Sequence, residues 1–321
     1  MAVYTEIGDG ELDALLADYE IGAAIACTGI AEGVENSNFL LQTDAGMFIL
    51  TIYEKRVKPD DLPWFLALLS HLSDRGVPCP VPVPRRDGGV LSDIRAKPAA
   101  IVSFLKGRWP RKPLPRHAWA VGDALASLHL AAADFGPERP NNLSVGDWRP
   151  LAERCAPGAD DVRSGLADEI ASELDVLETA WPRDLPRGVI HADLFPDNVF
   201  FLDERLSGVI DFYFACNDIL VYDLAICLNA WCFEPDGAFN TTKARQMLGA
   251  YRARRPLSRP EFDALPILAR GAAMRFLLTR LYDWLNHPEG AFVTPKNPLE
   301  YWRKLDFHRG VGGAAAYGLD F

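Results

Sequence analysis

The chain has 321 residues, of which 49% are hydrophobic and 24% charged, and its formal net charge is −11. This is a globular composition, long enough for one large domain or two smaller ones. The acidic balance disfavours nucleic acids and membranes as partners, and a bound anion would need a metal ion or backbone N–H groups. The six cysteines form no Cys-x-x-Cys pair and no signal peptide is recognisable, so we expect free thiols and a cytoplasmic protein.

The first third of the chain predicts a small sheet. The segment FLLQTDAGMFILTIYE (39–54) is typical of two strands joined by a turn at 44–46, and apolar residues at helical spacing follow over 62–72. Repeated prolines in 76–89 end that helix. The segment KPAAIVSFL (97–105) then predicts a further buried strand.

The remainder of the chain is mostly of helical period. Three apolar stripes carry this prediction: Ala118, Val121, Leu125, Leu128 and Ala132; Leu166, Ile170, Leu174, Leu177 and Trp181; and Met274, Leu278, Leu281 and Leu285. One β-like island lies between them, with apolar runs at 199–202 and 208–210. We therefore predict a bilobal α+β fold, with a small antiparallel-sheet lobe (1–102), a connecting hinge (103–107) and a larger, mainly helical lobe (108–321).

The segment VIHADLFPDN (189–198) places Asp193 and Asn198 in one short loop, and Asp211 follows in VIDFYF (209–214). Phosphoryl transfer to a hydroxyl needs a carboxylate that orients the hydroxyl and takes its proton, together with oxygen ligands for Mg²⁺. Asp193 is therefore predicted as the catalytic base, and Asn198 and Asp211 as Mg²⁺ ligands. The alternative interpretation is a surface turn rich in Asp, Asn and Pro.

With Ala192 inside the loop and Tyr213 after Asp211, this pattern resembles the aminoglycoside phosphotransferase and choline kinase superfamily, whose members are small-molecule kinases of protein-kinase fold. The resemblance extends over most of the chain and implies ATP and Mg²⁺ as cofactors. It also implies structural support of the catalytic loop by His191 and Asp223.

The same resemblance implies a nucleotide site in the first lobe. The nucleotide loop would comprise Gly33, Val34, Glu35, Asn36, Ser37 and Asn38. The hinge that meets adenine would comprise Ser103, Phe104 and Leu105.

The chain departs from the family pattern at Thr51, where the third strand usually carries a lysine that pairs the phosphates. Lys55 lies four residues further on, and we expect it to be a solvated edge charge. The departure leaves open a second class of function, a pseudokinase that binds nucleotide without turnover. The presence of Asp193, Asn198 and Asp211 favours an active enzyme.

Within the superfamily the resemblance is to the homoserine kinases of aminoglycoside-phosphotransferase type. It rests on segments such as GVENSNFLLQTDAGMFILTIYE, HADLFPDNVFF, YDLAICLNAWCF and RFLLTRLYDW. It implies phosphorylation of the side-chain hydroxyl of L-homoserine, a step of threonine biosynthesis. Choline or ethanolamine, aminoglycosides and methylthioribose are the alternative acceptors.

Homoserine carries a carboxylate, which a guanidinium group recognises well. Arg275 and Tyr282 lie seven residues apart, on one face of a predicted helix, and are candidates for the acceptor site, with a structural salt bridge as the alternative for Arg275. The further candidates are Asn229, Trp231 and Arg280. A core position for Trp231 and a surface pair of Arg280 with Asp283 are the alternatives. His129 is interpreted as a packing residue.

Overall fold

The computed structural model describes residues 5–30, 36–54, 58–287 and 295–320. It divides into two compact units, of which the first comprises Met1–Gly107 with Ser207–Tyr213 and the second comprises Arg108–Leu206 with Phe214–Phe321. The chain leaves the first unit at the end of the predicted hinge. The return of Ser207–Tyr213 to the first unit is a feature that the sequence analysis did not predict.

The described residues of the first unit form an antiparallel sheet and two α-helices. Its elements are α1 (Asp9–Leu16), β1 (Ala24–Gly29), β2 (Ser37–Thr43), β3 (Gly46–Ile52), α2 (Leu62–Asp74), β4 (Ser92–Ile94) and β5 (Lys97–Ser103). The strands are ordered β1-β2-β3-β5-β4. The small antiparallel sheet predicted from the sequence is thereby confirmed, and α2 lies where the leucine spacing predicted a helix.

One face of this sheet forms a hydrophobic core with α1. Leu41, Leu50 and Ile52 are fully buried there and pack in one cluster with Leu12 and Leu15 of α1. Leu50 and Ile52 lie on the same face of β3 because successive side chains of a strand point to opposite faces. Thr51, which lies between Leu50 and Ile52, therefore belongs to the other face.

The second unit is mainly helical, as predicted. Its elements are α3 (Pro115–Ala131), α4 (Val145–Val162), α5 (Leu166–Ala180), β6 (Arg187–Ile190), β7 (Val199–Leu202), β9 (Cys216–Ile219), α6 (Leu220–Trp231), α7 (Thr241–Arg254), α8 (Arg259–Leu285) and α9 (Leu299–Arg309). Strand β8 (Arg205–Val209) begins three residues before the predicted run at 208–210, and the division between the units passes through it.

The central helix of the second unit is α8, which packs against α4, α5, α6 and α9. It begins with a capping box, in which the Ser258 side chain accepts a bond from the Glu261 N–H and Glu261 accepts one from the Ser258 N–H. Of the predicted apolar stripe of α8, Met274, Leu278 and Leu281 are inaccessible to solvent, whereas Leu285 at the end of the helix is partly exposed. No helix in the described ranges is long and apolar enough to cross a membrane.

Helices α3 and α7 approach closely because Gly122 of α3 has no side chain. A Cβ on Gly122 would lie 2.2 Å from the Met247 carbonyl oxygen of α7, which is a backbone atom and cannot rotate away. We therefore expect Gly122→Ala to lower the free energy of unfolding by about 2 kcal/mol. Urea unfolding followed by circular dichroism measures this.

The matched control is Gly249 on α7, where a Cβ would meet nothing within 4 Å. Gly249→Ala should raise the free energy of unfolding by about 0.5–1 kcal/mol, because alanine loses less backbone entropy in a helix. Equal stability of the two variants would show that the contact between α3 and α7 does not depend on Gly122.

Candidate active site

The loop that follows β6 has a constrained backbone. Ala192 has a φ of 63°, in the left-handed region that alanine rarely adopts. Asp223, in the first turn of α6, accepts hydrogen bonds from the backbone N–H groups of His191 at 2.6 Å and Ala192 at 2.9 Å. The buried carboxylate therefore holds the backbone of this loop in its strained form.

Asp223 has a further partner in His129 of α3. His129 Nε2 lies 3.2 Å from Asp223 Oδ2, and His129 Nδ1 lies 2.7 Å from the Tyr251 hydroxyl of α7. Burial opposes ionisation of Asp223, but His129 and His191 outweigh it, and the pKa of Asp223 lies below its ordinary value. The interpretation of His129 as a packing residue is thus corrected: it is buried, but as part of a hydrogen-bonded chain.

Asp193 and Asn198 lie together in the second unit. The Asn198 side-chain nitrogen donates to the Asp193 backbone carbonyl at 2.8 Å and to Asp193 Oδ2 at 3.3 Å. The Asp193 N–H donates to His191 Nδ1 at 3.3 Å, which defines that nitrogen as an acceptor. Asp193 is partly exposed, whereas Asn198 is 9% exposed. Asn198 thereby fixes the orientation of the predicted catalytic carboxylate.

The chemistry of these residues fits a hard divalent cation. The Asn198 nitrogen is used in the bonds to Asp193, so its carbonyl oxygen is the atom that it can offer to a metal. Asp211, in the first unit, supplies a carboxylate, and both oxygen types are ligands that Mg²⁺ accepts. Asp211 has a φ of 64°, also in the left-handed region.

The two residues that depart from the kinase pattern, Tyr213 and Thr51, are hydrogen-bonded to each other in the first unit. Tyr213, in place of the usual glycine, donates from its hydroxyl to the Tyr53 hydroxyl at 3.3 Å and is also hydrogen-bonded to Thr51. Thr51, in place of the usual lysine, donates to Asn38 Oδ1 at 2.8 Å. Burial raises the pKa of Tyr213 well above its ordinary value, so this chain of polar groups is uncharged.

Of the predicted nucleotide loop, Gly33, Val34 and Glu35 lie outside the described residues, as does Lys55. The other three loop residues bond within the first unit. Ser37 donates to Glu54 Oε1 at 2.8 Å, the Glu54 N–H donates to Asn36 Oδ1 at 3.2 Å, and Asn38 accepts from Thr51.

The predicted hinge follows β5. The Ser103 N–H donates to the Val81 carbonyl at 2.8 Å, and the Val81 N–H donates to Ser103 Oγ at 2.9 Å. Leu105 covers Gly208, where a Cβ would lie 2.8 Å from Leu105 Cδ1. Phe104 is partly exposed. The hinge backbone is thus anchored at Ser103.

Arg275 has a partner inside the protein. It is 2% exposed, and its Nη1 donates to the Ala192 carbonyl at 2.6 Å. Ala192 is therefore bonded to Arg275 through its carbonyl and to Asp223 through its N–H. The guanidinium also lies over the Phe276 ring, 4.6 Å from its centroid. The structure contains no salt bridge of Arg275 to a described residue, and its contact with a substrate carboxylate stays a prediction.

Trp231 and Asn229 of α6 are core residues with hydrogen bonds. The Trp231 indole donates to the Leu194 carbonyl at 2.7 Å, which ties the loop of Asp193 to α6. Asn229 is inaccessible, donates to the Ala269 carbonyl of α8 at 3.0 Å and contacts His308 Nε2 of α9 at 3.2 Å. Asn229 therefore joins three helices, and its contact with the acceptor stays a prediction.

Arg280 and Tyr282 also have partners. Arg280 pairs with Glu300 of α9 at 2.6 Å, an ion pair that the sequence analysis did not predict. Arg154 of α4 lies over the Tyr282 ring, 4.9 Å from its centroid. Arg275 and Tyr282 share a helical face, but Arg275 contacts the loop at Ala192 whereas Tyr282 contacts α4.

The buried contact between Asn229 and His308 predicts a dependence of stability on pH. Burial, with Lys304 and Arg270 nearby, lowers the pKa of His308 from 6.5 to about 3. Below pH 6.5 the unfolded chain binds a proton at His308 that the folded protein excludes, so stability is present above this pH and is lost as the pH falls toward 3. The free energy of unfolding should therefore fall by about 1.4 kcal/mol per pH unit from this group alone.

The control is His308→Gln, which cannot titrate. Urea unfolding of both proteins at several pH values between 4 and 6.5 gives the difference in slope, because the other titrating groups contribute equally to both. Parallel pH profiles for the two proteins would show that His308 is not held neutral.

The sequence model of the phosphotransferase enzyme family matches residues 26–257. A homoserine kinase of Rhodospirillum rubrum is 64% identical over 319 residues, covering 99% of each chain. Homoserine kinases of Paramagnetospirillum magneticum and Parvibaculum lavamentivorans are 60% and 62% identical, covering all of each chain.

Solved structures share the fold at low identity. An amicoumacin kinase in complex with AMP-PNP, Ca²⁺ and its ligand superposes with a TM-score of 0.70 at 14% identity, covering 96% of this chain and 95% of that one. A spectinomycin phosphotransferase in complex with ADP and spectinomycin gives a TM-score of 0.67 at 11% identity, covering 98% of both chains. The predicted fold class is thereby confirmed. The chain therefore belongs to the phosphotransferase enzyme family, in the group of the homoserine kinases.

Proposed function

We propose that this chain is an ATP-dependent kinase that phosphorylates the side-chain hydroxyl of L-homoserine to O-phospho-L-homoserine, for threonine synthesis. The observation that carries the proposal is the 64% identity to a homoserine kinase over nearly the full length of both chains. The retained Asp193, Asn198 and Asp211 support an active kinase over a pseudokinase.

Asp193 is the proposed catalytic base. Its carboxylate is held by the Asn198 amide at 3.3 Å and its backbone carbonyl by the same amide at 2.8 Å, so the side chain is oriented before substrate binds. From this position it orients the acceptor hydroxyl and takes its proton as the γ-phosphoryl group is transferred.

We assign Mg²⁺ coordination to Asn198 and Asp211. When bound, the metal would neutralise negative charge on the phosphates. In a chain of net charge −11 that lacks the strand lysine, we expect the metal to carry a large share of this task.

The nucleotide loop at 33–38 is proposed to act through its backbone N–H groups. It contains no lysine or arginine, and Asn36, Ser37 and Asn38 use their side chains in bonds to Glu54 and Thr51. Adenine is proposed to meet the backbone of the hinge, Ser103–Leu105.

The acceptor is tested with a coupled assay that contains ATP, Mg²⁺ and a panel of alcohols: L-homoserine, choline, ethanolamine, an aminoglycoside and methylthioribose. Homoserine should have the highest kcat/KM. Phosphorylation of another alcohol in preference to homoserine would refute the acceptor and leave the kinase reaction standing. Nucleotide binding without turnover of any alcohol would support the pseudokinase.

Asp193→Asn should reduce kcat by about 10²-fold or more while ATP affinity is retained, because the amide cannot accept the proton. The matched control in the same loop is Asp197→Asn. The Asp197 side chain is 54% exposed and its ion-pair partner Lys296 is 3.9 Å away, so this variant should turn over at nearly the wild-type rate. Equal kcat values for Asp193→Asn and Asp197→Asn would show that Asp193 is not the catalytic base.

Thr51→Lys should lower stability and turnover instead of restoring a missing lysine. Thr51 is 5% exposed and bonded to Asn38 and Tyr213, so a longer cationic side chain would break a closed polar chain. We expect a loss of about 2 kcal/mol in the free energy of unfolding and a lower kcat/KM for ATP.

The control for this substitution is Thr51→Ser, which retains the hydroxyl and should stay close to wild type in both measurements. A higher kcat/KM for ATP in Thr51→Lys would show instead that the site lacks only a cation.

A further inference from the structure

Tyr301 of α9 carries a polar group that the fold does not use. The side chain is fully buried, and its hydroxyl has no hydrogen-bond partner among the described residues. Because burial of an unpaired hydroxyl opposes folding, buried hydroxyls in proteins are nearly always bonded, and an exception needs an explanation.

The position of Tyr301 points to the acceptor substrate. Its ring lies against Phe276, with 5.1 Å between centroids, and 6.5 Å from the Phe195 ring. The Phe195 N–H donates to the Asp193 carbonyl at 2.8 Å, so the tyrosine lies beside the catalytic loop.

The hydroxyl of Tyr301 is a donor at all working pH values. Burial raises its pKa, and the negative charges of Glu300 and Asp193 raise it further against the opposing effect of Arg280 and Arg275.

The surroundings of Tyr301 favour an anion. Arg280 and Lys304 lie over its ring, 4.4 and 4.3 Å from the centroid, and share Glu300 at 2.6 and 2.8 Å. Arg275 adds a third cation on the neighbouring Phe276 ring. This concentration of positive charge occurs in a chain whose net charge is −11.

Arg275 lies beside the same aromatic ring. Its Nη1 is bonded to Ala192, and its guanidinium is also hydrogen-bonded to the buried Tyr222 hydroxyl. Because Tyr301 and Arg275 both contact Phe276, the unpartnered Tyr301 hydroxyl lies close to a cation that is bonded to the loop of Asp193.

We propose that the Tyr301 hydroxyl binds the carboxylate of the amino-acid substrate. This inference rests on the proposed function and adds to it a specificity-determining residue that the sequence analysis did not identify. A carboxylate accepts hydrogen bonds only, and it is the substrate group that suits a buried hydroxyl donor in a cationic environment.

Tyr301→Phe removes the hydroxyl and keeps the ring. We expect kcat/KM for L-homoserine to fall about tenfold or more, the effect of one hydrogen bond to a charged group, with KM for ATP unchanged. The melting temperature should be unchanged or higher, since no bond within the protein is lost. Homoserinol, which lacks the carboxylate, should be a poor substrate of the wild type, and its kcat/KM should not fall further in the variant.

The matched control is Tyr19→Phe in the first unit. Tyr19 is also buried, but its hydroxyl is bonded to Ser92 Oγ at 2.9 Å. This variant should have a lower melting temperature and unchanged kinetics with homoserine.

A lower melting temperature of Tyr301→Phe with unchanged kcat/KM for homoserine would assign the hydroxyl a structural role and overturn the proposal. An equal loss with homoserine and homoserinol would also overturn it, because the effect would not involve the carboxylate. A wild-type enzyme that does not phosphorylate homoserine would refute the proposed function, and this inference with it, before any variant is made.

Discussion

The hydrogen bonds from the backbone of His191 and Ala192 to the Asp223 carboxylate are the interaction on which the candidate active site depends. Ala192 adopts a left-handed conformation, which an alanine keeps only where its surroundings enforce it. The carboxylate must remain ionised to accept both bonds, and His129 keeps its pKa low despite burial. The backbone conformation of the two residues before Asp193 is therefore held by residues of α3 and α6 that do not belong to the loop, whereas Asn198 orients the Asp193 carboxylate from within it.

The first unit has a neutral residue at the position where protein kinases carry a charged one. In protein kinases the third strand carries a lysine, whereas this chain has Thr51 in a neutral chain with Asn38 and Tyr213. A buried lysine at this position would need a buried counter-ion, whereas the neutral Thr51 needs none. The substitutions at the lysine and glycine positions are thus one structural feature, since each supplies a hydrogen-bond partner to the other.

Much of the fold and part of the site could be predicted, because those features depend on the order of residues within short stretches of the chain. Strand alternation predicted the hairpin of β2 and β3, and helical spacing predicted the buried stripes of α3, α5 and α8. The sequence analysis assigned no helix at α4, whose interior contains Pro150 and Pro157, residues that usually end a helix. Tertiary contacts of α4 with α5 and α8 outweigh that local preference.

The sequence by itself determined the spacing of Asp193, Asn198 and Asp211, because a loop of catalytic residues is defined by local order along the chain. Only the tertiary structure decided the partners of side chains from distant helices. Helical periodicity predicts which face a residue occupies, but not which atom opposes it. Arg275 thus donates to the Ala192 carbonyl, Trp231 donates to the Leu194 carbonyl, and the Tyr301 hydroxyl has no hydrogen-bond partner among the described residues. Each outcome depends on how α6, α8 and α9 pack around one loop.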